Sequence, residues 1–317
     1  MSKQYEEIPI TTLANGYHLA LPLHRVVGAR PGPTLGLLAL IHGDEPLPNV
    51  ILQKVLAKLD PAQLSGTVLI LPVANPLAYE ALSRNTPLDM TNMNRIFPGS
   101  PSGMLTEQIA HVICTEFVPQ LDYLVDMHSG GTFPTVDYVY LSKVQPEFAF
   151  AFGFDILFDG PGYVGTLSDV TETRNIPTIV AEIGGGSLVD ANYIERGIRG
   201  TFNVMKYLKM LDGQPELPSR QTVVNEMAVI RPKTGGVLYP EVTLDQLGDV
   251  VPGGTVLGRV VSPYTFDELE VITVPFDENF MILLRGAITR VNPGDYAFMV
   301  ANANADNVEV VSNLDPT

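Results

Sequence analysis

Residues 34–45 read TLGLLALIHGDE, a nearly continuous apolar run that ends in His42 and Glu45. Such a run is typical of a strand that is covered on both faces of a sheet. Residues 50–59 follow with apolar side chains at helical spacing, and residues 67–73 form a second apolar run. The order strand, helix, strand predicts a parallel sheet with a right-handed crossover.

The same alternation extends on both sides of this unit. It predicts strands at 17–27, 123–127 and 177–183, helices at 104–117 and 191–210, and a turn at Pro31, Gly32 and Pro33. Residues 74–103 are rich in Pro, Asn and Gly, and a loop of this length in a compact domain is usually functional or disordered. Its arginine and aromatic content favours function.

The chemistry of the chain changes after a polar stretch at 211–221. Short β-type runs separated by Gly-Gly, Pro-Gly-Gly and Asn-Pro-Gly turns follow, at 223–231, 237–239, 256–261, 271–274 and 280–285. We therefore predict an α/β domain over residues 1–215 and a small all-β domain over residues 222–317.

Composition and charge exclude several kinds of partner. The net charge of -16 opposes binding to phosphate backbones and to anionic membranes. No stretch approaches the roughly 20 apolar residues of a membrane span, and the N-terminus does not resemble a signal peptide. The single cysteine, Cys114, forms no internal disulfide and is expected to be buried in a helix. These features predict a cytoplasmic protein.

Two predicted strand ends offer a set of metal ligands. His42 and Glu45 follow the strand at 34–41, and His128 follows the strand at 123–127; ligands of open α/β sheets lie at this edge. The H-x-x-E spacing alone is a weak signal. The other three histidines, His18, His24 and His111, are interpreted as structural. Two imidazoles and one carboxylate leave a fourth position for water, as in catalytic zinc sites.

A base and fixed cations accompany these ligands. Glu182 lies near the end of the strand at 177–183, where apolar surroundings would raise its pKa and suit it to general base catalysis. Arg84 and Arg95 lie on the long loop, and their planar guanidinium groups can hold a carboxylate or an oxyanion. Asp89 and Asn92 are predicted to fix that loop.

The order of these motifs is specific. It comprises His42-Gly43-Asp44-Glu45, Asn75-Pro76, Arg84, Asn94-Arg95 before Phe97, His128 after a strand, and Glu182 before a glycine run. This series resembles the succinylglutamate desuccinylase and aspartoacylase family, a branch of the zinc carboxypeptidase-like hydrolases, over residues 35–186. The resemblance implies a mixed, largely parallel sheet flanked by helices. The C-terminal region resembles biotinyl or lipoyl-type β half-barrels, but residues 275–280 lack their carrier lysine.

The resemblance also implies a role for each matching residue. His42, Glu45 and His128 are expected to bind one zinc ion per chain, and Glu182 is expected to activate water. Arg84 would polarise the scissile carbonyl, Asn94 and Arg95 would hold a substrate carboxylate, and Tyr163 would face the substrate. Two departures stand out: Leu40 occupies a position where the family commonly has glycine, and Pro46 follows Glu45 directly.

The expected activity is hydrolysis of an N-acyl amino acid or a similar small amide. A metallocarboxypeptidase acting on a peptide terminus would use the same metal and base, and a non-catalytic metal-binding protein is the third alternative. The expected partner is a small molecule, and a homo-oligomer is possible. A peptidase needs an open groove, whereas the C-terminal domain could cap the site of a deacylase.

Overall fold

The computed structural model describes residues 1–185 and 191–312 and contains a large mixed sheet joined to two small antiparallel ones. The strands in chain order are β1 (Ser2–Thr12), β2 (His18–Val27), β3 (Arg30–Ala39), β4 (Ser65–Leu71), β5 (Tyr123–His128), β6 (Tyr138–Tyr140), β7 (Ile156–Phe158), β8 (Thr178–Glu182), β9 (Arg220–Val224), β10 (Met227–Ile230), β11 (Gly236–Pro240), β12 (Val250–Pro252), β13 (Val256–Val261), β14 (Glu268–Thr273), β15 (Glu278–Leu284), β16 (Thr289–Val291), β17 (Phe298–Asn302) and β18 (Val308–Ser312). The helices are α1 (Leu47–Lys58), α2 (Pro76–Glu80), α3 (Leu105–Val112), α4 (Glu147–Phe150), α5 (Leu167–Thr173) and α6 (Ala191–Tyr207).

The large sheet has the strand order β1-β2-β4-β3-β5-β8-β6-β7-β9-β18. Its centre is parallel from β4 through β3 and β5 to β8, because helices connect these strands across the faces of the sheet. β6 pairs antiparallel with β8 and begins a second parallel group with β7 and β9. The predicted mixed, largely parallel α/β fold is confirmed.

Each face of the central strands packs against its own group of helices, which explains why these strands are apolar throughout. On one face Leu35, Val125 and Ile179 pack with α1 and α6. On the other face Leu38 and Leu124 pack with α3 and α5. Asp126, His128 and Glu182 share this second face, since side chains two residues apart on a strand point the same way. The candidate site therefore lies on the α3 and α5 side of the sheet.

The C-terminal region forms two four-stranded antiparallel sheets, β10-β17-β15-β12 and β14-β13-β11-β16. Its own apolar core includes Leu238, Leu257 and Phe298. β9 and β18, at the two ends of the region, pair with the large sheet. The division into residues 1–215 and 222–317 stays a prediction. None of the helices in the described residues is long and apolar enough to cross a membrane.

Several predicted elements differ from those observed. The turn at Pro31–Pro33 is wrong: these residues belong to β3, whose pairing with β4 is irregular between Arg30 and Thr34, so the prolines need not donate to the ladder. The predicted helix 104–117 is a regular α-helix only to Val112. The chain continues as a π-helical turn (Ile113–Phe117) and then a 3₁₀ turn (Val118–Gln120). Pro119 lacks the N–H that a continuing α-helix would need. Cys114 is buried there, as expected. Residues 186–190 and 313–317 lie outside the described residues. They include Gly186, the last glycine of the run that follows Glu182.

Candidate active site

Three buried side chains meet at the carboxyl edge of β3 and β5. His42 follows β3, Glu45 lies two residues before the start of α1, and His128 is the last residue of β5. Their candidate ligand atoms all lie within 4.8 Å of one another. Gly43 allows this approach, because a Cβ atom there would lie 2.0 Å from the carbonyl carbon of Ala78. The predicted histidine and glutamate residues are thus brought together.

Glu45 occupies the centre of this cluster. Its Oε2 lies 3.0 Å from Nδ1 of His128 and accepts a hydrogen bond of 3.2 Å from the Ser129 backbone N–H. Its Oε1 lies 3.2 Å from Nη1 of Arg84. Burial alone would raise the pKa of Glu45, but the surrounding His42, His128 and Arg84 side chains lower it to about 2. Glu45 is therefore a carboxylate, the form that binds metals.

The chemistry of the three donors fits a bound cation. Burial lowers the pKa of His42 to about 3, so its imidazole is neutral and can act as a ligand. Burial also disfavours a charged His128, but Asp126 and Glu45 on its two sides outweigh this effect and raise its pKa. A positive charge is favoured between these carboxylates. His42, Glu45 and His128 could hold a metal ion and leave a further coordination position open.

Asp126 supports His128 from the side away from Glu45. Its Oδ2 lies 3.3 Å from Nε2 of His128. Both Asp126 oxygens and this Nε2 are buried and, apart from this contact with each other, have no polar partner among the described residues. A carboxylate behind a ligating histidine fixes the orientation of the ring and raises its basicity.

We expect Asp126→Asn to weaken metal affinity by about 10- to 100-fold, because an amide is a poorer partner for the imidazole N–H. Competition with a metal-sensitive chelating dye measures this change. Asp122→Asn is the control, since Asp122 lies at the opposite end of β5 and accepts a hydrogen bond from the Thr34 backbone. Equal affinity in the wild-type protein and the Asp126 variant would contradict the assigned role.

Glu182 stands beside the cluster on the neighbouring strand. It is the last residue of β8 and pairs in register with His128 of β5. Burial raises the pKa of Glu182 to about 8, while the His128 ring acts in the opposite direction. A cation bound to His128 would lower this pKa again, because a nearby opposite charge favours the carboxylate. The position and the chemistry suit a group that accepts and returns a proton.

The polar residues of the long loop reach the same cavity. Arg84 contacts Glu45, and its backbone oxygen lies 3.1 Å from Nδ1 of His42. The Arg95 guanidinium lies 4.6 Å from the centre of the Tyr163 ring. Asn94 has a further role, because its Oδ1 accepts a hydrogen bond of 3.1 Å from Leu167 at the start of α5.

The loop itself is held as the sequence predicted. Asp89 accepts hydrogen bonds from the backbone and hydroxyl groups of Thr106, and Asn92 accepts one from the Asn94 backbone.

One cavity of about 350 Å³ joins all eight predicted site residues: His42, Glu45, Arg84, Asn94, Arg95, His128, Tyr163 and Glu182. Its wall also includes Leu283, Tyr296 and Met299 of the C-terminal region.

The family model for the succinylglutamate desuccinylase/aspartoacylase catalytic domain matches residues 31–208. The chain belongs to this family. It is 28% identical to N-alpha-acetyl-L-2,4-diaminobutyric acid deacetylase of Halomonas elongata, over 97% of this chain and 91% of that protein.

Solved structures show the same fold. The succinylglutamate desuccinylase/aspartoacylase of Rhodobacter sphaeroides has a TM-score of 0.82 and 25% identity, with 95% of each chain covered. The product-bound ectoine utilization protein EutE (DoeB) of Ruegeria pomeroyi has a TM-score of 0.83 and 24% identity, also with 95% of each chain covered.

Leu40 lies two places before the first candidate ligand, at a position where this family commonly has glycine. Its backbone adopts a φ of 60°, a left-handed conformation that costs non-glycine residues roughly 1–2 kcal/mol. The side chain is buried, and the backbone oxygen accepts a hydrogen bond of 2.9 Å from Asn75 N–H. Removing a buried leucine side chain costs about 2–5 kcal/mol. Burial of Leu40 therefore outweighs the strain.

We expect both Leu40→Ala and Leu40→Gly to lower the free energy of unfolding. Alanine keeps the strained backbone, so the glycine variant should be more stable than the alanine variant by about 1 kcal/mol. Denaturant unfolding of the two variants measures the difference. An alanine variant more stable than the glycine variant would show that strain at Leu40 is unimportant.

Some residues that line the cavity were not predicted from the sequence. Tyr138, Tyr140 and Phe158 lie on three-residue strands, too short for a periodic pattern. Asp126 could have been predicted from the sequence, because an aspartate two residues before a histidine in a strand lies on the same face of that strand.

Proposed function

We propose that the protein is a zinc-dependent hydrolase that removes the acyl group from an N-acyl amino acid or a similar small amide. The observation that carries this proposal is that a buried His-Glu-His cluster, Glu182 and two arginines line one cavity of about 350 Å³. The similarity to a deacetylase of an N-acetylated amino acid along nearly the whole chain supports it.

Zinc suits the donors of the cluster. Imidazole nitrogen and carboxylate oxygen are both common zinc ligands, and three protein ligands with an open position are usual in catalytic zinc sites. We therefore assign one zinc ion per chain to His42, Glu45 and His128. When bound, zinc would acidify a water molecule and polarise the carbonyl oxygen of the substrate.

The surrounding residues supply the proton transfers and the fixed charges. Glu182 accepts a proton from the attacking water and returns it to the leaving nitrogen, a sequence that needs one carboxyl group beside both. Arg84, 3.2 Å from Glu45, places a cation where negative charge develops on the carbonyl oxygen. Arg95, stacked on Tyr163, holds the substrate carboxylate, and the Asn94 amide N–H groups assist.

The C-terminal region favours a small amide over a peptide as the substrate. Val229, Leu283 and Met299 form part of the cavity wall. A peptidase that acts on long chains would need the cavity to be open on the side that these residues close. We therefore place the carboxypeptidase activity second.

Amine release by the zinc-loaded protein tests the proposal. The panel combines N-acetyl and N-succinyl amino acids with dipeptides, and Glu182→Gln is measured in parallel. We expect release from acyl amino acids that is lost in the variant. Release from dipeptides alone would establish the peptidase instead, and release from neither class with zinc bound would contradict a hydrolase of this kind.

A further inference from the structure

The cavity extends from the candidate active site along β8. Thr178, Val180 and Glu182 line it, whereas the intervening Ile179 and Ala181 belong to the core on the opposite face of the sheet. A parallel strand rises about 3.3 Å per residue, so Thr178 lies about 13 Å from Glu182 along the strand. The cavity is therefore longer than the metal cluster and the base require.

An aromatic wall borders this extension on the side of Glu182 away from the metal cluster. Tyr138 pairs with Glu182 across the antiparallel β6 and β8, and Tyr140 pairs with Val180. Opposed residues of such a pair share one face of the sheet. Phe158 on β7 pairs with Tyr140 in turn. Because adjacent strands lie about 4.8 Å apart, Tyr138 stands about 10 Å from His128, two strands away.

The three rings form a continuous surface. The Tyr138 and Tyr140 ring centres are 5.5 Å apart, and the Tyr140 and Phe158 rings meet edge to face at 5.2 Å. Leu283 and Met299 of the C-terminal region also line the cavity and share an apolar cluster with Tyr138 and Phe158. We call these five residues and Val180 the aromatic lobe.

Three charged side chains that line the cavity, Lys143, Asp169 and Glu172, are bonded within the protein. Nζ of Lys143 lies 3.0 Å from Oδ1 of Asp159. Glu172 accepts a hydrogen bond of 3.0 Å from the Lys143 backbone, and Asp169 accepts one of 3.0 Å from the Gly165 backbone. An ionic substituent in the lobe would lose its water without gaining an equivalent partner there, which is costly. An apolar substituent would instead gain free energy by leaving water.

We propose that the ligand of this site is an N-acyl amino acid whose apolar side chain, an aromatic ring or a branched aliphatic group, occupies the aromatic lobe. This inference rests on the proposed deacylase function. Glu182 returns its proton to the leaving nitrogen, so the amino acid that departs lies on the Glu182 side of the metal cluster. The lobe adjoins that position, and the acyl group points away from it.

The test compares substrates that share an acetyl group. We expect kcat/KM for N-acetyl-L-phenylalanine and N-acetyl-L-leucine to exceed those for N-acetyl-L-alanine, N-acetyl-L-aspartate and N-acetyl-L-2,4-diaminobutyrate by at least about tenfold. Tyr140→Leu should lower the ratio of kcat/KM for the phenylalanine and alanine substrates by about tenfold, because it removes a ring that contacts the bound side chain. Tyr264→Leu, at a side chain that is 89% exposed, is the matched control.

Binding to the Glu182→Gln variant separates this inference from the proposed function. Calorimetric titration with the same compounds needs no turnover and does not depend on the folding of a lobe variant. Tighter binding of the apolar compounds without turnover in the wild-type protein would support the lobe and contradict the deacylase. If turnover or binding favours the aspartate or diaminobutyrate compound, the aromatic lobe is not the site of the substrate side chain. The same conclusion follows if neither measurement shows a preference for the apolar compounds.

Discussion

Glu182→Gln is expected to reduce turnover by about 10²- to 10⁴-fold, the range that a positioned general acid-base group contributes. An amide has nearly the shape of the carboxyl group but cannot take a proton from water or return one to nitrogen. Glu182 is half-buried beside His128 and is not one of the three candidate ligands. The variant should therefore bind metal as the wild-type protein does.

Steady-state rates on an acyl amino acid, together with metal content by elemental analysis, check this expectation. Glu116→Gln is the matched control, because Glu116 is exposed and lies outside the cavity. A turnover rate of Glu182→Gln within about threefold of the wild-type rate would show that Glu182 does not carry the proton transfers. Loss of a general acid-base group lowers the rate far more than that.

His42→Ala is expected to abolish stoichiometric metal binding and to reduce turnover by at least about 10³-fold. The loss follows because a metal ion supplies several kcal/mol of transition-state stabilisation. Alanine leaves Glu45 and His128 as two ligands, too few for a tight site. The His42 side chain is buried, so the change also leaves a cavity at the end of β3.

A thermal measurement separates metal loss from misfolding. A bound metal stabilises the folded state, so a chelator should lower the Tm of the wild-type protein but not that of His42→Ala. His18→Ala is the control, because His18 is exposed and contacts Thr12 on β1. Full metal content and turnover in His42→Ala would exclude His42 as a ligand.

The fold was predictable where its elements are long and periodic. The unit formed by β3, α1 and β4 follows from two apolar runs and one helical pattern, because a strand buried on both faces has to be apolar throughout. β1 was missed because residues 3–7 are all exposed, so no alternation of buried and exposed positions marks a strand there; pairing with β2 holds it in the sheet. β6 and β7 were missed because three residues define no period.

The candidate site was predictable where chemistry coincides with a strand end. His42, Glu45, His128 and Glu182 each lie at or just beyond the end of an apolar run, and parallel strands bring such ends to one edge of the sheet. The sequence therefore determined which side chains at this edge could bind a metal or move a proton. It also predicted that Asp89 and Asn92 hold the long loop in place.

Only the tertiary structure decided which distant residues became neighbours. β6 turns antiparallel against β8 and sets Tyr138 beside Glu182, and the C-terminal region adds Leu283 and Met299 to the same wall. Strand order and register depend on how whole layers pack, because pairing is set by contacts between segments far apart in the chain. Local sequence patterns specify the elements and their faces, whereas the aromatic lobe exists only once the sheet is assembled.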